Sequence, residues 1–318
     1  MSFSSIPVVD FRRLQDPETQ PAALLQLREA IFQVGFVYLS LVQRAHETLP
    51  ELFVLPGEAK ERCNMINSPA FVGYTRLGAE TTASQTDLRE QFDFGTPGMK
   101  PWTESDPFWQ RLEGDSQYPD YPGAQELIEE YITASAELSQ AFMRSVSECL
   151  CLPPTTFESF KGRMDRLKFI KYPPAPPGSQ GDNIGGLQVL NRNGDWIDAP
   201  PIAGSLVVNI QQGFEAITGG GGFVQRPRIA LFIPFFLGVR MDLTLDELRE
   251  SAAHIVQRIP ASDDRKKRAV DVPSEFLSPP YSCFGEAYLR NRIISHPDVG
   301  RKWYPDLHAR YSQDSSIK

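Results

Sequence analysis

The chain has 318 residues, of which 41% are hydrophobic and 23% charged, and its formal net charge is −8. This composition is typical of a soluble globular protein and gives enough length to bury one large core or two smaller ones. The negative charge argues against a nucleic-acid partner, because phosphate binding requires a clustered basic face. We therefore expect a small-molecule partner and no nucleic-acid partner, with the oligomeric state left open.

The sequence contains no apolar run that would cross a membrane. No stretch approaches the roughly 18 apolar residues that a spanning helix needs, and the first residues lack the basic and apolar regions of a secretion signal. We therefore expect a cytoplasmic protein with no membrane partner.

The four cysteines, Cys63, Cys149, Cys151 and Cys283, are too scattered for a disulfide framework, and we expect reduced thiols. Cys149 and Cys151 form a C-x-C pair that could hold a soft metal. No second cysteine pair or nearby histidine completes four ligands, so packing in the core is the favoured interpretation.

Two segments in the first half have the hydrophobic period of helices. Residues 21–34 place apolar side chains near one side, and Pro21 stands at the start, where its missing N–H costs little. Residues 124–147 repeat apolar positions with the 3.6-residue period, and the small polar Ser135 falls on the same face. A short strand is predicted at 6–11. We expect the two helices to form a supporting layer.

From Leu167 onward, short apolar runs separated by proline and glycine predict strands at 167–172, 186–190, 206–210 and 230–237. Between the second and third run, Asn193-Gly194 tolerates the positive φ angles of a tight hairpin turn. The pattern favours an antiparallel barrel or jelly roll over a doubly wound sheet.

After the strands, Thr244 and Glu247 have the spacing of a capping box and predict a helix over about 245–257. We expect His254 in this helix to be a packing residue. The basic run 265–268 is interpreted as a solvated loop or helix start. A proline-containing stretch then leads into a C-terminal tail whose last residues, 312–318, are expected to fray.

An ordered set of segments resembles the isopenicillin-N-synthase-like branch of the iron(II)- and 2-oxoglutarate-dependent oxygenases. The likeness covers nearly the whole chain, and it is carried by residues 6–11, 34–39, 57–60, 67–82, 87–96, 171–174, 185–190, 194–200, 204–210 and 233–236.

The resemblance implies a mixed α+β fold: a double-stranded β-helix, or jelly roll, with flanking helices and with one or more strands missing. It divides the chain into a supporting region at 1–160, a shortened oxygenase-like core at 161–245, and a C-terminal helix and tail at 246–318. The cofactors expected for the family are Fe(II) and 2-oxoglutarate, with iron held by a His-x-Asp pair and a distal histidine.

This chain lacks those ligands where the resemblance places them. Only twelve residues separate Tyr172 from Gly185, and none is a histidine; Asp182 among them aligns with a position that follows the lost strand. The distal histidine is absent from 219–230. We therefore predict no metal ligand and no catalytic residue, and we expect that Fe(II) and 2-oxoglutarate are not bound by the chain as written.

Two residues are the candidate cofactor contacts that the resemblance implies. Tyr172 stands at the position of the co-substrate tyrosine, although a buried aromatic strand residue needs no such role. Arg228 is the nearest candidate for the basic residue that forks onto the 2-oxoglutarate carboxylate, but Ile229 and Ala230 break the expected Arg-x-Ser pattern.

One His-x-Asp does occur, at His296 and Asp298, with His308 downstream. It lies outside the predicted strands, and three ligands must converge within about 2.0–2.2 Å of a metal. We interpret it as part of the ordinary C-terminal segment. Arg89, Phe92 and Phe94 could line a pocket, but packing explains them equally well.

Besides the segments of the missing His-x-Asp pair and distal histidine, a third gap follows Ser40, where relatives continue with an Asn-His-Gly-like turn.

Three hypotheses for the function stay open. The chain is an oxidoreductase of the dioxygenase lineage that acts on a small, for example secondary, metabolite; or a metal-free descendant that binds a small molecule or catalyses a non-redox reaction in the barrel mouth; or a mis-spliced product without function.

Overall fold

The computed structural model describes residues 13–14, 16–29, 36–39, 44–82, 85–173, 187–190, 196–200, 202, 206–209, 231–256 and 281–313. The α-helices of this part are α1 (Gln20–Glu29), α2 (Arg44–Val54), α3 (Gly57–Arg62), α4 (Ala124–Cys149), α5 (Leu245–Val256), α6 (Phe284–Ser295), α7 (Pro297–Trp303) and α8 (Pro305–Gln313). The strands are β1 (Phe36–Leu39), β2 (Gly73–Thr75), β3 (Thr81–Thr82), β4 (Gln85–Thr86), β5 (Glu90–Gly95), β6 (Arg166–Lys171), β7 (Leu187–Leu190), β8 (Trp196–Ala199), β9 (Leu206–Asn209), β10 (Leu231–Phe232) and β11 (Phe235–Phe236).

The central sheet has five strands in the order β10-β6-β5-β2, and β11 pairs with the start of β6 beside β10. Three further two-stranded sheets pair β1 with β9, β3 with β4 and β7 with β8. All these strand pairs are antiparallel. The predicted mixed α+β class, with helices beside antiparallel sheets, is confirmed for this part of the chain.

One face of the central sheet is apolar and packs against α4. Phe92, Phe94 and Phe169 have no exposed surface and belong to the same core cluster as Ile128 and Ile132 of the helix. The rings of Phe94 and Phe169 meet edge to face, with centroids 5.5 Å apart. The periodic stripe predicted for 124–147 therefore folds as expected, and the buried Ser135 is accommodated within it.

The predicted hairpin and strands are largely confirmed. Leu190 pairs with Trp196 across the turn that contains Asn193-Gly194, although the turn itself lies outside the described residues. The run predicted at 230–237 forms two strands rather than one, because Pro234 between them cannot donate a ladder hydrogen bond. The strand predicted at 6–11 and the basic run 265–268 also lie outside the described residues.

The predicted capping box of α5 is present. The hydroxyl of Thr244 accepts a hydrogen bond from the backbone N–H of Glu247, and the Glu247 carboxylate accepts one from the N–H of Thr244. The packing role expected for His254 is wrong, since its side chain is exposed while the next residue, Ile255, is buried. Neighbours on a helix point about 100° apart, so only one of the two reaches the core.

The region after residue 280 is more ordered than the expected tail. Helices α6, α7 and α8 pack around Phe71, and the ring of Tyr304 stacks on it at 5.7 Å. Pro297 and Pro305 begin helices α7 and α8, positions at which proline is tolerated because the first N–H groups of a helix lack partners. These two prolines therefore start helices, whereas the proline-containing stretch that precedes the tail, 273–280, lies outside the described residues.

All four cysteines are free thiols, as expected. Cys149 is buried, which agrees with the predicted packing role, whereas its C-x-C partner Cys151 is exposed. Among the described helices, none combines the length and the apolar character that crossing a bilayer would require.

Candidate functional site

The face of the central sheet opposite α4 is polar. Successive strand side chains point to opposite faces, so Gln91 and Asp93 point away from Phe92 and Phe94. The strand register pairs Asp93 with Lys168, which places both on this face. Helix α6 covers it from the other side. We call the following residues the polar cluster: Glu80, Arg89, Gln91, Asp93, Lys168, Arg292 and His296.

Asp93 lies between two cations. Its Oδ1 is 3.0 Å from Nζ of Lys168 and 3.4 Å from Nη2 of Arg292 in α6. Burial alone would raise the pKa of Asp93, but the charges of Lys168 and then Arg292 outweigh burial and lower it. The carboxylate is therefore ionised at neutral pH, although none of its surface is exposed.

Glu80 connects the sheet to the end of α6. Its Oε2 accepts hydrogen bonds from Nε2 of Gln91 at 2.7 Å and from Nε of Arg89 at 3.2 Å. Burial opposes ionisation of Glu80, but Lys168, His296 and Arg89 together lower its pKa well below the ordinary value. Glu80 is thus a second buried carboxylate that is charged at neutral pH.

His296 forms the boundary between α6 and α7, and only 3% of its surface is exposed. Its Nε2 lies 3.4 Å from Oε1 of Glu80, without the geometry of a hydrogen bond. Burial and the nearby charge of Arg292 lower the pKa of His296 below 6.5, against the opposing effect of Glu80. The imidazole is therefore neutral at neutral pH.

Arg166 lies on the same sheet face, beside the cluster. Its guanidinium donates to the carbonyl oxygens of Ala70, Phe71 and Leu112 at 2.7–3.2 Å, and Nη2 of Arg292 donates to the same Phe71 carbonyl at 2.8 Å. Phe71 reaches this position with φ at +55°, a left-handed conformation that is uncommon outside glycine. Burial lowers the pKa of Arg166, since no carboxylate of the described residues pairs with it.

Four buried polar atoms of the cluster have no hydrogen-bond partner among the described residues: Gln91 Oε1, Asp93 Oδ2, Arg292 Nε and His296 Nε2. Leaving such an atom buried and unpaired costs about 1–3 kcal/mol. Together these atoms offer two unused acceptors, one unused donor and a neutral imidazole that can act as either, which complements the hydrogen-bonding groups of a small polar molecule.

The predicted site residues fall in different places. Tyr172 directly follows β6, and its side chain is near enough to Arg89 to help raise the pKa of that guanidinium, so it lies at the edge of the polar cluster. Arg228 lies outside the described residues. Arg89 belongs to the polar cluster, whereas Phe92 and Phe94 belong to the apolar core on the other face.

The His-x-Asp pair near the C-terminus does not converge. His296 points to Glu80, but Asp298 is exposed and forms an ion pair with Arg301. His308 lies near Gly300, on the helices beyond. Within the part of the chain that the structure describes, no three His, Cys, Asp or Glu side chains come together as a metal site. These residues do not fit a facial iron triad.

Sequence reasoning missed the polar cluster. A signal was present, because Gln91 and Asp93 alternate with phenylalanines in β5, and Lys168 falls in an otherwise apolar stretch of β6. Buried strands rarely carry charge without a partner. The partners Arg292 and His296, however, lie about two hundred residues further along the chain.

Comparisons with known proteins agree with the fold. Residues 6–121 match the family model of the non-haem dioxygenase N-terminal region, described from morphine synthesis, and residues 179–228 match the 2OG-Fe(II) oxygenase superfamily. A putative 2OG-Fe(II) oxygenase family protein from Caulobacter crescentus has a similar structure, with a TM-score of 0.64 at 20% identity, over 92% of this chain and 99% of that one.

Two relatives extend the likeness to sequence. A homoarginine-6-hydroxylase of Arabidopsis thaliana is 29% identical over 69% of this chain and 77% of its own length. A 2-oxoglutarate-dependent dioxygenase of Dothideomycetidae sp. is 35% identical over 348 aligned residues, 96% of this chain and 94% of its own. The aligned length exceeds the 318 residues of this chain, so that relative has segments without a counterpart here. The chain belongs to the 2-oxoglutarate-dependent dioxygenase family.

Proposed function

We propose that this member of the dioxygenase family binds a small metabolite without holding iron, and that the chain as written does not oxidise it. The observation that carries the proposal is the distribution of histidine. The chain has four, His46, His254, His296 and His308, and none lies within the matched oxygenase segment 179–228.

The chemistry of iron supports this proposal. Ferrous iron in the family's site takes two imidazoles and one carboxylate, which leave adjacent positions open for the co-substrate and dioxygen. The segment 179–228 has carboxylates at Asp182, Asp195, Asp198 and Glu215 but no imidazole. Carboxylates alone suit harder cations such as Mg²⁺ and Ca²⁺ better than a redox-active iron site.

The core that we propose is a jelly roll shortened within 161–245, between the supporting region 1–160 and the C-terminal region 246–318. The antiparallel pairing of β6 with β5, β10 and β11, and the β7–β8 hairpin, support it. Within this core, Tyr172 and Arg228 are the candidate contacts for the carboxylate of 2-oxoglutarate or of a similar organic acid.

A small polar metabolite is the ligand that the polar cluster favours. Two of its unused hydrogen-bonding atoms lie on the sheet face, and the other two lie at the end of α6, so a ligand between them would find partners on both sides. The relative named for hydroxylation of homoarginine acts on a molecule of this size and polarity. A ligand of this size and polarity therefore agrees with both the lineage and the geometry.

A turnover assay distinguishes metal-free binding from the activity of an oxygenase. The purified chain is incubated with Fe(II), ascorbate, 2-oxoglutarate and candidate substrates, and succinate is measured, with the homoarginine-6-hydroxylase relative and L-homoarginine as the positive control. We expect no succinate above the background of the enzyme-free reaction. Succinate formed in stoichiometric amounts with an oxidised product would refute the proposal.

A second candidate is that the chain is a shortened, mis-spliced product of a gene that encodes an intact oxygenase. The length of the alignment with the fungal dioxygenase favours it, because that relative has residues that this chain lacks. The genomic DNA around the codons for Gly181 and for Gly219–Gly222 tests it. An in-frame segment that encodes His-x-Asp would assign oxidation to the longer product, and its absence would leave the metal-free function.

A further inference from the structure

The unpaired atoms of the polar cluster come from two elements that face each other. Gln91 and Asp93 are two residues apart in β5 and share a strand face. Arg292 lies in the last turn of α6, and His296, four positions on, directly follows the helix. Nη2 of Arg292 bridges the two elements, since it lies 3.4 Å from Oδ1 of Asp93. The acceptors therefore line the sheet side, and the donors line the helix side.

The same region has a surplus of positive charge. The groups that contact one another here, among the described residues, are the cations Arg89, Lys168 and Arg292 and the carboxylates Glu80, Asp87 and Asp93. The cation Arg166 donates to the same Phe71 carbonyl as Arg292. His296 is neutral, so the cations exceed the carboxylates by one. An uncompensated buried charge is unfavourable, and an anionic group is the partner that would compensate it.

We propose that the polar cluster binds a small metabolite that carries a carboxylate beside an amino or hydroxyl group, as a 2-amino or 2-hydroxy acid does. The carboxylate accepts from the Nε–H of Arg292 and from Nε2 of His296 when that nitrogen carries the proton. The amino or hydroxyl group donates to Oδ2 of Asp93 and Oε1 of Gln91. This assignment rests on the proposed function, because it names the ligand class of the same metal-free protein.

The surroundings of the cluster hold these groups in place. Phe71 is fully buried, its carbonyl fixes Arg292, and its ring lies 5.5 Å from the guanidinium and 6.0 Å from the His296 ring. Gln91 is fixed by the hydrogen bond that its Nε2 donates to Oε2 of Glu80 at 2.7 Å. Side chains that are already ordered lose little entropy when a ligand binds, so the site is preorganised.

The test is a thermal-shift screen of the full chain in buffer with EDTA. The probes are the standard L-amino acids, L-homoarginine, L-lactate and L-malate, and each is compared with its amide or methyl ester at equal ionic strength. We expect at least one acid to raise the melting temperature in a saturable way and its uncharged derivative not to do so. Failure of every acid to exceed its derivative would overturn the proposal.

Variants then locate the site. Arg292→Lys keeps the charge but loses the Nε–H, and we expect the Kd of the acid identified in the screen to rise about tenfold or more. His296→Gln, which changes no charge at neutral pH, is a second variant and should also weaken binding. Unchanged Kd values in the variants that fold would place the ligand elsewhere.

Lys60→Met is the matched control. Lys60 forms an ion pair with Glu90 on the opposite face of β5, and its side chain is as buried as that of Lys168, with 12% exposed in each. We expect a loss of stability without a change in Kd; an equal loss of affinity would mean that the effect is global. Because EDTA is present, failure of binding here is distinct from failure of the iron-free proposal, which only metal or turnover measurements can refute.

Discussion

Nε2 of His296 lies 3.4 Å from Oε1 of Glu80, and both side chains are almost fully buried. Burial and Arg292 lower the pKa of His296 from 6.5, so the folded protein binds a proton there less readily than the unfolded chain. As pH falls below about 6.5, the unfolded state therefore gains protons first, and stability decreases. The Glu80 carboxylate, whose pKa is lowered, contributes stability that is lost only at lower pH.

The first prediction concerns this pH dependence. The unfolding free energy of the wild-type protein should decrease between pH 6.5 and 5. In His296→Gln most of this dependence on pH should disappear, because the group that titrates is gone. Urea unfolding midpoints at pH 5.0, 6.0 and 7.5 measure it. Thr133→Ala, at an exposed position with no titratable group, is the control and should keep the wild-type slope. Equal slopes in wild type and His296→Gln would contradict the assignment.

The second prediction concerns Asp93. Asp93→Ala leaves Lys168 and Arg292 buried without their carboxylate, and we expect a loss of about 3–5 kcal/mol of unfolding free energy. Asp298→Ala removes an exposed ion pair with Arg301 and should cost less than about 1 kcal/mol. Guanidinium unfolding of both variants gives the comparison. Similar losses in the two variants would show that the buried pairs contribute no more than a surface pair.

The third prediction concerns the capping box of α5. Thr244→Ala removes the acceptor for the N–H of Glu247 and should reduce stability by about 1 kcal/mol. Thr133→Ala, within the exposed face of α4, is the control and should change stability by less than about 0.5 kcal/mol. Thermal unfolding of the two variants is the measurement, and a neutral Thr244→Ala would rule out a stabilising cap.

The fourth prediction concerns Gly73, which begins β2 with φ at +118°. A Cβ atom there would collide with the carbonyl oxygen of Cys63, in a backbone conformation that other residues rarely adopt. Gly73→Ala should cost at least about 1–3 kcal/mol. At Gly57, where no atom lies within 4 Å of an added Cβ, the same substitution should be neutral or stabilising. Circular-dichroism melts compare them, and a tolerated Gly73→Ala would contradict the geometry.

Local patterns predicted much of the fold. Three predicted features each depend on residues that are close in sequence. They are the apolar stripe of α4, the capping box of Thr244 and Glu247, and the hairpin around Asn193-Gly194. Helix α6 was missed because its buried positions include Gly285, Ala287 and Arg292 and do not form a single apolar stripe. Its polarity reflects the face that it covers, which only the tertiary structure reveals.

The candidate site was predictable only in part. The missing histidines and the position of Tyr172 are features of the sequence itself. The ion pair of Asp93 with Arg292 joins distant segments, and no local period signals such a contact. Antiparallel pairing of β5 with β6 was needed to bring Lys168 opposite Asp93.

Metal analysis measures whether the chain holds iron. The purified chain is equilibrated with Fe(II) and 2-oxoglutarate under anaerobic conditions, dialysed, and assayed for iron, beside the homoarginine-6-hydroxylase relative as the control. We expect this chain to retain less iron after dialysis than the relative does. One iron retained per chain, with the visible absorption band that 2-oxoglutarate gives on chelating Fe(II), would contradict it.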